Sequence, residues 1–309
     1  MPKKALHHNI IIPFLIFNNN NSSFCGFPQC NLGYFFIHLH SSAQGTFKRI
    51  LMQYNTDINI IGSIPDYHLI YRSLPLLINN PAELENILVT NNEFDFRTEK
   101  SRKRFLSLLN SAFVSKSEAI DELASSLMLS FKNDENAQAL LLFWLFSINN
   151  KLFFELNRDI FLKYYLQGRA ELPKEAVVAY IKDLISTNED LKGKWSEITI
   201  ETIASKYLTV LKKLKLVEGT KKKKFTLVRV SDELLAVFVH IISLLDNKKA
   251  NFLEDDFLSF TFISKENILA RLKQIGKKEW IKLNFNGVSL QVEPVFNNNN
   301  IIDGIFRRA

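Results

Sequence analysis

The chain has 309 residues, of which 47% are hydrophobic and 23% are charged. These proportions are those of a folded globular protein, and they exclude a fibrous or intrinsically disordered chain. The length is enough for two or three packed modules. The formal charge of +7, with a pI near 9.2, favours a nucleic acid or an anionic surface as the partner.

The first 51 residues differ from everything that follows. They contain no Asp or Glu and carry a charge of +4, which leaves +3 for the rest of the chain. They also hold both cysteines, Cys25 and Cys30, and four of the six histidines. Because no helical or strand period persists there, we expect residues 1–51 to be disordered, or to be translated upstream sequence before a true start at Met52.

A signal peptide is the alternative interpretation of this segment. Lys3 and Lys4 would form its charged region, and residues 10–17 its apolar region. That apolar run is far short of the ~20 residues that span a bilayer. An asparagine run follows it in place of the small residues of a cleavage site, so this alternative is the weaker one.

The rest of the chain has few residues that bind metals or form disulfides. It contains no cysteine, and its only histidines are His68 and His240. Zinc sites with thiolate ligands and cysteine nucleophiles are thereby excluded from it. We expect no metal, no cofactor and a reducing cytoplasmic compartment.

Residues 52–170 predict an N-terminal bundle of α-helices. A helix over residues 81–89 opens with a proline after an asparagine, and Thr98 and Ser117 are typical caps of two more helices. Residues 137–148 are apolar almost all round, which places that helix in the centre of a bundle. It is too short to cross a membrane.

Residues 171–250 change from a helical to an alternating pattern. One helix opens at Pro173, a second runs over about 200–214, and residues 225–229 alternate between apolar and polar. A basic loop precedes the alternating run. Two helices followed by a short hairpin with a basic tip are typical of a winged helix, so we predict a winged-helix-like domain here.

Residues 251–309 predict a second unit in which a hairpin follows a helix. Ser264 is a typical helix cap, and Asn286-Gly287 is a typical hairpin turn. The asparagine run at 297–300 predicts a frayed tail. The expected fold class is therefore mainly α, a helical bundle with winged-helix-like units that carry short β-hairpins.

A basic helix start is the first candidate site. The free N–H groups and the positive dipole end of a helix attract phosphate. The basic residues at this start are Arg97, Lys100, Arg102, Lys103 and Arg104. A solvated polar face opposite the buried one is the alternative, and the charge pattern does not separate the two.

The second candidate is the predicted recognition helix and the loop that follows it. Thr202 and Lys206 lie on the helix face away from the predicted core, where such a helix meets a DNA groove. The lysines at the helix end and in the loop are Lys212, Lys213, Lys221, Lys222, Lys223 and Lys224. A lysine run alone is usually a solvated loop, but at the tip of a wing it reaches phosphates. We therefore predict phosphate contacts for this set.

No pattern of catalytic residues accompanies these basic sites. The sequence has no phosphate-binding loop, nucleophile elbow or dinucleotide fingerprint. Glu254, Asp255 and Asp256 form an acidic cluster, which we interpret as acids at a helix start. His240 lies among apolar residues and is interpreted as a core histidine with satisfied hydrogen bonds, not as a catalytic base. We expect the protein not to be an enzyme.

Several short motifs, in their order and spacing, resemble the BrxA family of BREX phage-defence proteins. They are Arg97-Thr98 with Ser101 and Arg104, the helix over 140–148 with Phe153-Phe154 after it, the helix over 159–165, Trp195-Ser196 with Thr199, and residues 207–216. The resemblance extends over about residues 58–292. Residues before Met52 have no counterpart in it.

The resemblance implies a cytoplasmic, non-catalytic protein of a bacterial phage-exclusion system. It further implies binding of double-stranded DNA, a NusB-like helical part and winged-helix character. Other BREX proteins are then expected partners, whereas a membrane and a small-molecule cofactor are not.

Two other functions remain open. One is a scaffold of the same defence complex, whose basic face binds a protein instead of DNA. The other is a winged-helix transcription regulator. Steep loss of affinity with salt would favour phosphate contacts, and a palindromic footprint would favour a regulator.

Overall fold

The structure is a computed structural model, and it describes residues 54–115, 117–245 and 248–306. These described residues all belong to one compact unit. Residues 1–53, on which the predicted disordered or misassigned start falls, lie outside the described residues.

The described chain is mainly helical, and this prediction is confirmed. The α-helices in chain order are α1 (Asp57–Ile61), α2 (His68–Asn79), α3 (Pro81–Glu85), α4 (Glu99–Phe113), α5 (Glu118–Ser130), α6 (Glu135–Asn149), α7 (Lys151–Leu156), α8 (Leu162–Leu166), α9 (Lys174–Thr187), α10 (Glu197–Lys213), α11 (Asp232–Ser243), α12 (Lys265–Lys277) and α13 (Ile301–Phe306). A π-helical turn, Asn86–Thr90, continues α3, and a second one, Asn157–Phe161, joins α7 to α8.

Two short antiparallel hairpins complete the fold, as the sequence predicts. In the first, β1 (Val217–Glu218) pairs with β2 (Lys224–Phe225). In the second, β3 (Ile281–Phe285) pairs with β4 (Leu290–Pro294). Short 3-10 turns lie at Glu189–Leu191, Phe252–Glu254 and Leu258–Thr261.

Helix α6 lies at the centre of the hydrophobic core. Every residue from 137 to 148 is buried, as its all-round apolar sequence predicts. The Asp134 carboxylate caps the helix by accepting hydrogen bonds of 3.0 Å from the backbone N–H groups of Asn136 and Ala137. After α6 the chain bends by 115°, and the side chain of Asn150 accepts a bond of 2.8 Å from the Phe153 N–H to start α7.

The segment after α11 packs directly against α6. The Trp144 indole donates a hydrogen bond of 3.1 Å to the carbonyl oxygen of Phe260. The ring of Phe143 lies 5.6 Å from that of Phe260 and 5.5 Å from that of Phe262, between ring centroids. The C-terminal unit therefore shares its core with the helical bundle. The predicted domain boundaries at 170 and 250 stay predictions.

The tail predicted to fray is instead held by packing and hydrogen bonds. The side chain of Asn298 lies 2.6 Å from Nε2 of His240 and donates a bond of 2.8 Å to the Ala119 carbonyl. Ile301 and Ile305 of α13 are buried. The prediction of a frayed tail is wrong, because these two isoleucines, one helical turn apart, bury more apolar surface than the asparagine run suggests.

Among the described helices, no single one combines the length and apolarity needed to cross a membrane. Residues Glu135–Asn149 and Lys151–Leu166 meet these criteria only as a pair that is bent by 115°.

Candidate nucleic-acid interface

Helices α9 and α10 and the β1–β2 hairpin form one continuous substructure. Residues 170–172 run beside β2, because the Leu172 N–H donates to the Lys223 carbonyl at 2.8 Å and the Phe225 N–H donates to the Ala170 carbonyl at 3.2 Å. The order along the chain is thus an extended segment, α9, α10, β1 and β2. The hairpin gains a third, short strand-like neighbour in this way.

One face of α10 anchors the helix in the core. Ser196 caps its start by accepting a hydrogen bond of 3.3 Å from the Thr199 N–H. Ile203, Tyr207 and Leu211 on this face are fully buried. With one side fixed this firmly, the opposite side of α10 has a defined orientation toward solvent.

The opposite side, which we name the outer stripe of α10, comprises Ile198, Thr202, Ser205, Thr209 and Lys212. These positions recur at the helical spacing of four, three, four and three residues, so they share one face. Ile198 is 80% exposed, and the others are exposed or half-buried.

The three hydroxyl groups of the outer stripe have fixed hydrogen-bond roles. Thr202 donates to the Ile198 carbonyl at 2.7 Å, Ser205 to the Glu201 carbonyl at 2.8 Å, and Thr209 to the Ser205 carbonyl at 2.9 Å. Each hydroxyl has one proton. With these protons engaged, the three side chains offer acceptor oxygens to an external partner.

The acids that border the outer stripe are neutralised by lysines of α9. Lys174 lies 2.6 Å from Glu201, and Lys182 lies 2.6 Å from Glu197. The N-terminal half of α10 is consequently close to electrically neutral, and its two carboxylates repel an anionic partner less than unpaired ones would.

Lys213, which the sequence predicted as a phosphate contact, is directed into the protein. Its ammonium group donates to the carbonyl oxygens of Gly62, at 3.2 Å, and of Ile64. Burial and the nearby charge of Lys206 lower the pKa of Lys213. Lys213 therefore joins α10 to the end of α1.

Lys223, predicted as another phosphate contact, closes the β1–β2 loop. Its ammonium group donates to the carbonyl oxygens of Gly219 at 2.9 Å and of Thr220 at 2.8 Å. Burial, followed by the positive charge of Lys212, lowers the pKa of Lys223. The Thr226 hydroxyl donates to the Lys215 carbonyl at 2.6 Å, so the end of α10 and the hairpin lie close together.

Of the other lysines that the sequence predicted here, Lys212, Lys221, Lys222 and Lys224 are exposed and Lys206 is half-buried. Lys222 lies 3.8 Å from Glu171, which is a weak ion pair at an exposed position. The ammonium groups of the others have no partner among the described residues. The set, which we name the basic helix–hairpin surface, consists of Lys206, Lys212, Lys221, Lys222 and Lys224. Five of the eight residues that the sequence predicted around α10 thus keep an ammonium group that is free or only weakly paired; Thr202 lies on the adjoining outer stripe.

The basic start of α4 divides in a similar way. Thr98 caps the helix by accepting a bond of 3.2 Å from the Ser101 N–H, as predicted. Lys103 pairs with Glu99 at 2.6 Å, and Arg102 donates to the Val89 carbonyl at 2.6 Å, which holds the π-helical turn against α4. The basic side chains left exposed, without a partner in the described part of the chain, are Arg97, Lys100 and Arg104.

The acidic cluster and His240 have structural roles. Asp255 accepts hydrogen bonds from the N–H groups of Lys249 and Phe257, at 3.0 and 2.9 Å. It therefore stabilises the turn just before the 3-10 turn Leu258–Thr261, a role close to the helix-start role that the sequence suggested for this acidic cluster. His240 is buried, as predicted, and burial lowers its pKa. Its hydrogen-bonding capacity is only half used, because Nε2 contacts Asn298 whereas Nδ1 has no partner among the described residues. Within residues 54–115, 117–245 and 248–306, no group of three or more His, Cys, Asp or Glu side chains could hold a metal ion.

Sequence reasoning missed Ile198 as a member of the exposed face. The helical spacing could have revealed it, because at about 100° per residue Ile198 points away from the side of the helix that carries Ile200, Ile203 and Tyr207, which are buried. An apolar residue on the polar side of an amphipathic helix is easily assigned to the core when the helix start is placed at residue 200.

The fold and this surface define a class: a mainly helical protein that presents a basic helix and hairpin to solvent. A family model described as BrxA matches residues 72–240, which is 169 of the 309 residues. The chain belongs to the BrxA family, and this membership implies a component of a BREX phage-defence system. The match runs from α2 to α11 and includes the whole basic helix–hairpin surface. No curated protein and no solved structure matches the chain, so a NusB-like character of the helical part stays a prediction.

Proposed function

We propose that this protein is a non-catalytic, double-stranded DNA-binding component of its BREX system, and that the basic helix–hairpin surface contacts the DNA phosphates. One observation carries the proposal. Lys212, Lys221, Lys222 and Lys224 lie on neighbouring parts of one helix end and one hairpin, whereas Glu197 and Glu201, at the other end of α10, are paired with lysines of α9.

The order of elements supports a winged-helix interpretation of this region. An extended segment, two helices and a hairpin follow one another, and residues 170–172 join β2 as a third strand would. In winged-helix proteins the second helix enters the major groove. Here that helix is α10, and the loop of residues 219–223 is the wing beside it.

The chemistry of the surface favours phosphates over base edges as the main source of affinity. Lysine ammonium groups are point charges that neutralise phosphates and release counterions. Such contacts position a protein on DNA but carry no sequence information. We therefore propose binding with weak sequence preference, in which each phosphate contact contributes about 0.9 to the slope of log affinity against log salt.

Salt-dependent binding of a short duplex tests the proposal. The variant Lys221→Ala/Lys222→Ala/Lys224→Ala is compared with Lys132→Ala/Lys277→Ala/Lys282→Ala, which removes the same charge from exposed lysines elsewhere. Between about 50 and 200 mM salt, the first variant should lose up to about 3 from the slope, and the second should keep it. Circular dichroism checks that both variants fold.

The other outcomes assign the function elsewhere. If the first variant binds with unchanged affinity and slope, the wing assignment is wrong, and Arg97, Lys100 and Arg104 at the start of α4 become the better candidate. If the unaltered protein binds no duplex at low salt, the DNA proposal fails, and a scaffold that binds other BREX proteins is favoured.

A further inference from the structure

The N-terminal end of α10 presents an isoleucine that the fold does not bury. Ile198 is 80% exposed, whereas Ile200 and Ile203 on the same helix are 4% and 0% exposed. Single exposed apolar residues are common on protein surfaces. The position of Ile198 is what distinguishes it, because it begins the outer stripe of the helix that the proposed function places in the major groove.

The N-terminal half of the outer stripe lacks a side-chain hydrogen-bond donor for DNA. After Ile198 come Thr202 and Ser205, whose hydroxyl protons are donated to carbonyls of α10 itself. A base edge that meets this half of the stripe finds an apolar group and acceptor oxygens. Its chemical complement is a methyl group next to an N–H donor.

An A·T pair offers that combination in the major groove. Thymine presents its 5-methyl group and adenine presents its N6 amino group, which is a donor. A G·C pair also presents a donor, the N4 amino group of cytosine, but it has no methyl group, and its acceptors N7 and O6 would find no side-chain donor on this half of the stripe. The stripe therefore fits A·T pairs better than G·C pairs.

The length of the helix agrees with this placement. Ile198 and Lys212 are 14 residues apart, or about 21 Å along the helix axis at 1.5 Å per residue. The major groove is about 12 Å wide. With Ile198 inside the groove, Lys212 and the loop beside it lie at the level of the phosphate backbone, where the proposed function needs them.

We propose that Ile198 contacts the 5-methyl group of thymine in the major groove, with Thr202 and Ser205 accepting hydrogen bonds from adenine N6. This inference rests on the proposed function and deepens it. It adds a modest preference for A·T pairs to binding that is otherwise set by phosphates.

Replacing thymine by deoxyuridine removes the methyl group and leaves base pairing intact. We would measure dissociation constants for two short duplexes, one of alternating A and T and one of alternating A and deoxyuridine. Covering one methyl group contributes about 0.8 kcal/mol, which corresponds to about a fourfold difference in affinity. The unaltered protein should bind the thymine duplex tighter by about this factor.

Two variants assign the effect to a residue. Ile198→Ala should abolish the difference between the duplexes and keep the salt slope, and its exposure means that folding is unaffected. Val288→Ala removes an equally exposed apolar side chain, 81% accessible on the β3–β4 hairpin, and should keep the difference.

Each remaining result overturns the inference in a recognisable way. Equal binding of both duplexes by the unaltered protein overturns the inference and leaves the proposed function intact. A thymine preference that persists in Ile198→Ala assigns the contact to another residue. Failure to bind either duplex at low salt overturns the proposed function, and the inference with it.

Discussion

The hydroxyl of Tyr207 donates a hydrogen bond of 2.8 Å to the side-chain oxygen of Asn157. Both side chains are completely buried. Asn157 begins the π-helical turn between α7 and α8, and its amide group donates to the Ser147 hydroxyl of α6 at 3.3 Å. One series of hydrogen bonds thus connects α6, the π-helical turn and the buried face of α10. It fixes the orientation of α10 relative to the core.

Tyr207→Phe should lower the free energy of unfolding by about 1–3 kcal/mol, because it leaves the Asn157 oxygen buried without a donor. Chemical denaturation measures this loss. Tyr164→Phe is the matched control, since Tyr164 is half-buried and its hydroxyl has no hydrogen bond within the described residues. If the two variants are equally stable, the buried series of hydrogen bonds from Tyr207 through Asn157 to Ser147 does not hold α10 in place.

Gly219→Ala should disrupt the β1–β2 loop. Gly219 has a φ of +93°, and a Cβ atom there would overlap the carbonyl oxygen of Lys222. The variant should weaken duplex binding as well as reduce stability. Gly193→Ala is the control, because its φ of +71° imposes the same kind of strain but no atom lies within 4 Å of the added Cβ. Equal duplex affinities for the two variants would show that the loop shape does not matter for binding.

Stability should fall as the pH is lowered through the usual titration range of histidine. Burial lowers the pKa of His240 in the folded state, an effect that exceeds the opposing effect of the hydrogen bond that its Nε2 makes to the Asn298 side-chain oxygen. The unfolded chain, with an ordinary pKa near 6.5, then binds more protons than the folded one below that pH. Denaturant unfolding between about pH 7 and 5 should show the loss, and His240→Gln should reduce it.

His68→Gln provides the comparison for this pH dependence. His68 is an exposed residue whose Nε2 lies 2.6 Å from Glu135. Replacing His68 should leave the loss of stability between about pH 7 and 5 in place. A loss that disappears in His68→Gln and persists in His240→Gln would refute the assignment to His240.

The helices that the sequence predicts well are those whose signals are local. Thr98 and Ser231 cap their helices through hydrogen bonds to the following turn, and the apolar period of α6 follows directly from its composition. Helix α2 is harder to predict, because Pro75 lies in its interior and proline normally ends a helix. The π-helical turn at Asn157 depends on partners that are 10 and 50 residues away.

The site is less predictable than the fold, because charge alone does not say where a side chain points. Arg102 and Arg104 are two residues apart, yet one donates to the Val89 carbonyl and the other is exposed. Lys223 turns back to its own loop, whereas Lys221 and Lys224 do not. Each direction is set by a carbonyl oxygen from a neighbouring turn or element, which a pattern of lysines cannot reveal.

Lys212 and Lys213 offer the sharpest test of this distinction, since they are adjacent and carry the same charge. Lys213 donates to carbonyls at the end of α1, whereas Lys212 is exposed beside the β1–β2 loop. Methionine keeps much of the apolar stem of lysine and removes the ammonium group.

Lys213→Met should therefore lower the free energy of unfolding by about 1 kcal/mol, because hydrogen bonds from a charged group are lost at a half-exposed position. Its slope of log affinity against log salt for duplex DNA should stay unchanged. Lys212→Met should do the reverse, keeping stability and lowering the slope by about 0.9 for one lost phosphate contact. Paired denaturation and binding measurements on both variants separate the two roles. If Lys213→Met lowers the slope as much as Lys212→Met does, the ammonium group of Lys213 leaves α1 to meet DNA, and the division between a structural and a binding lysine is wrong.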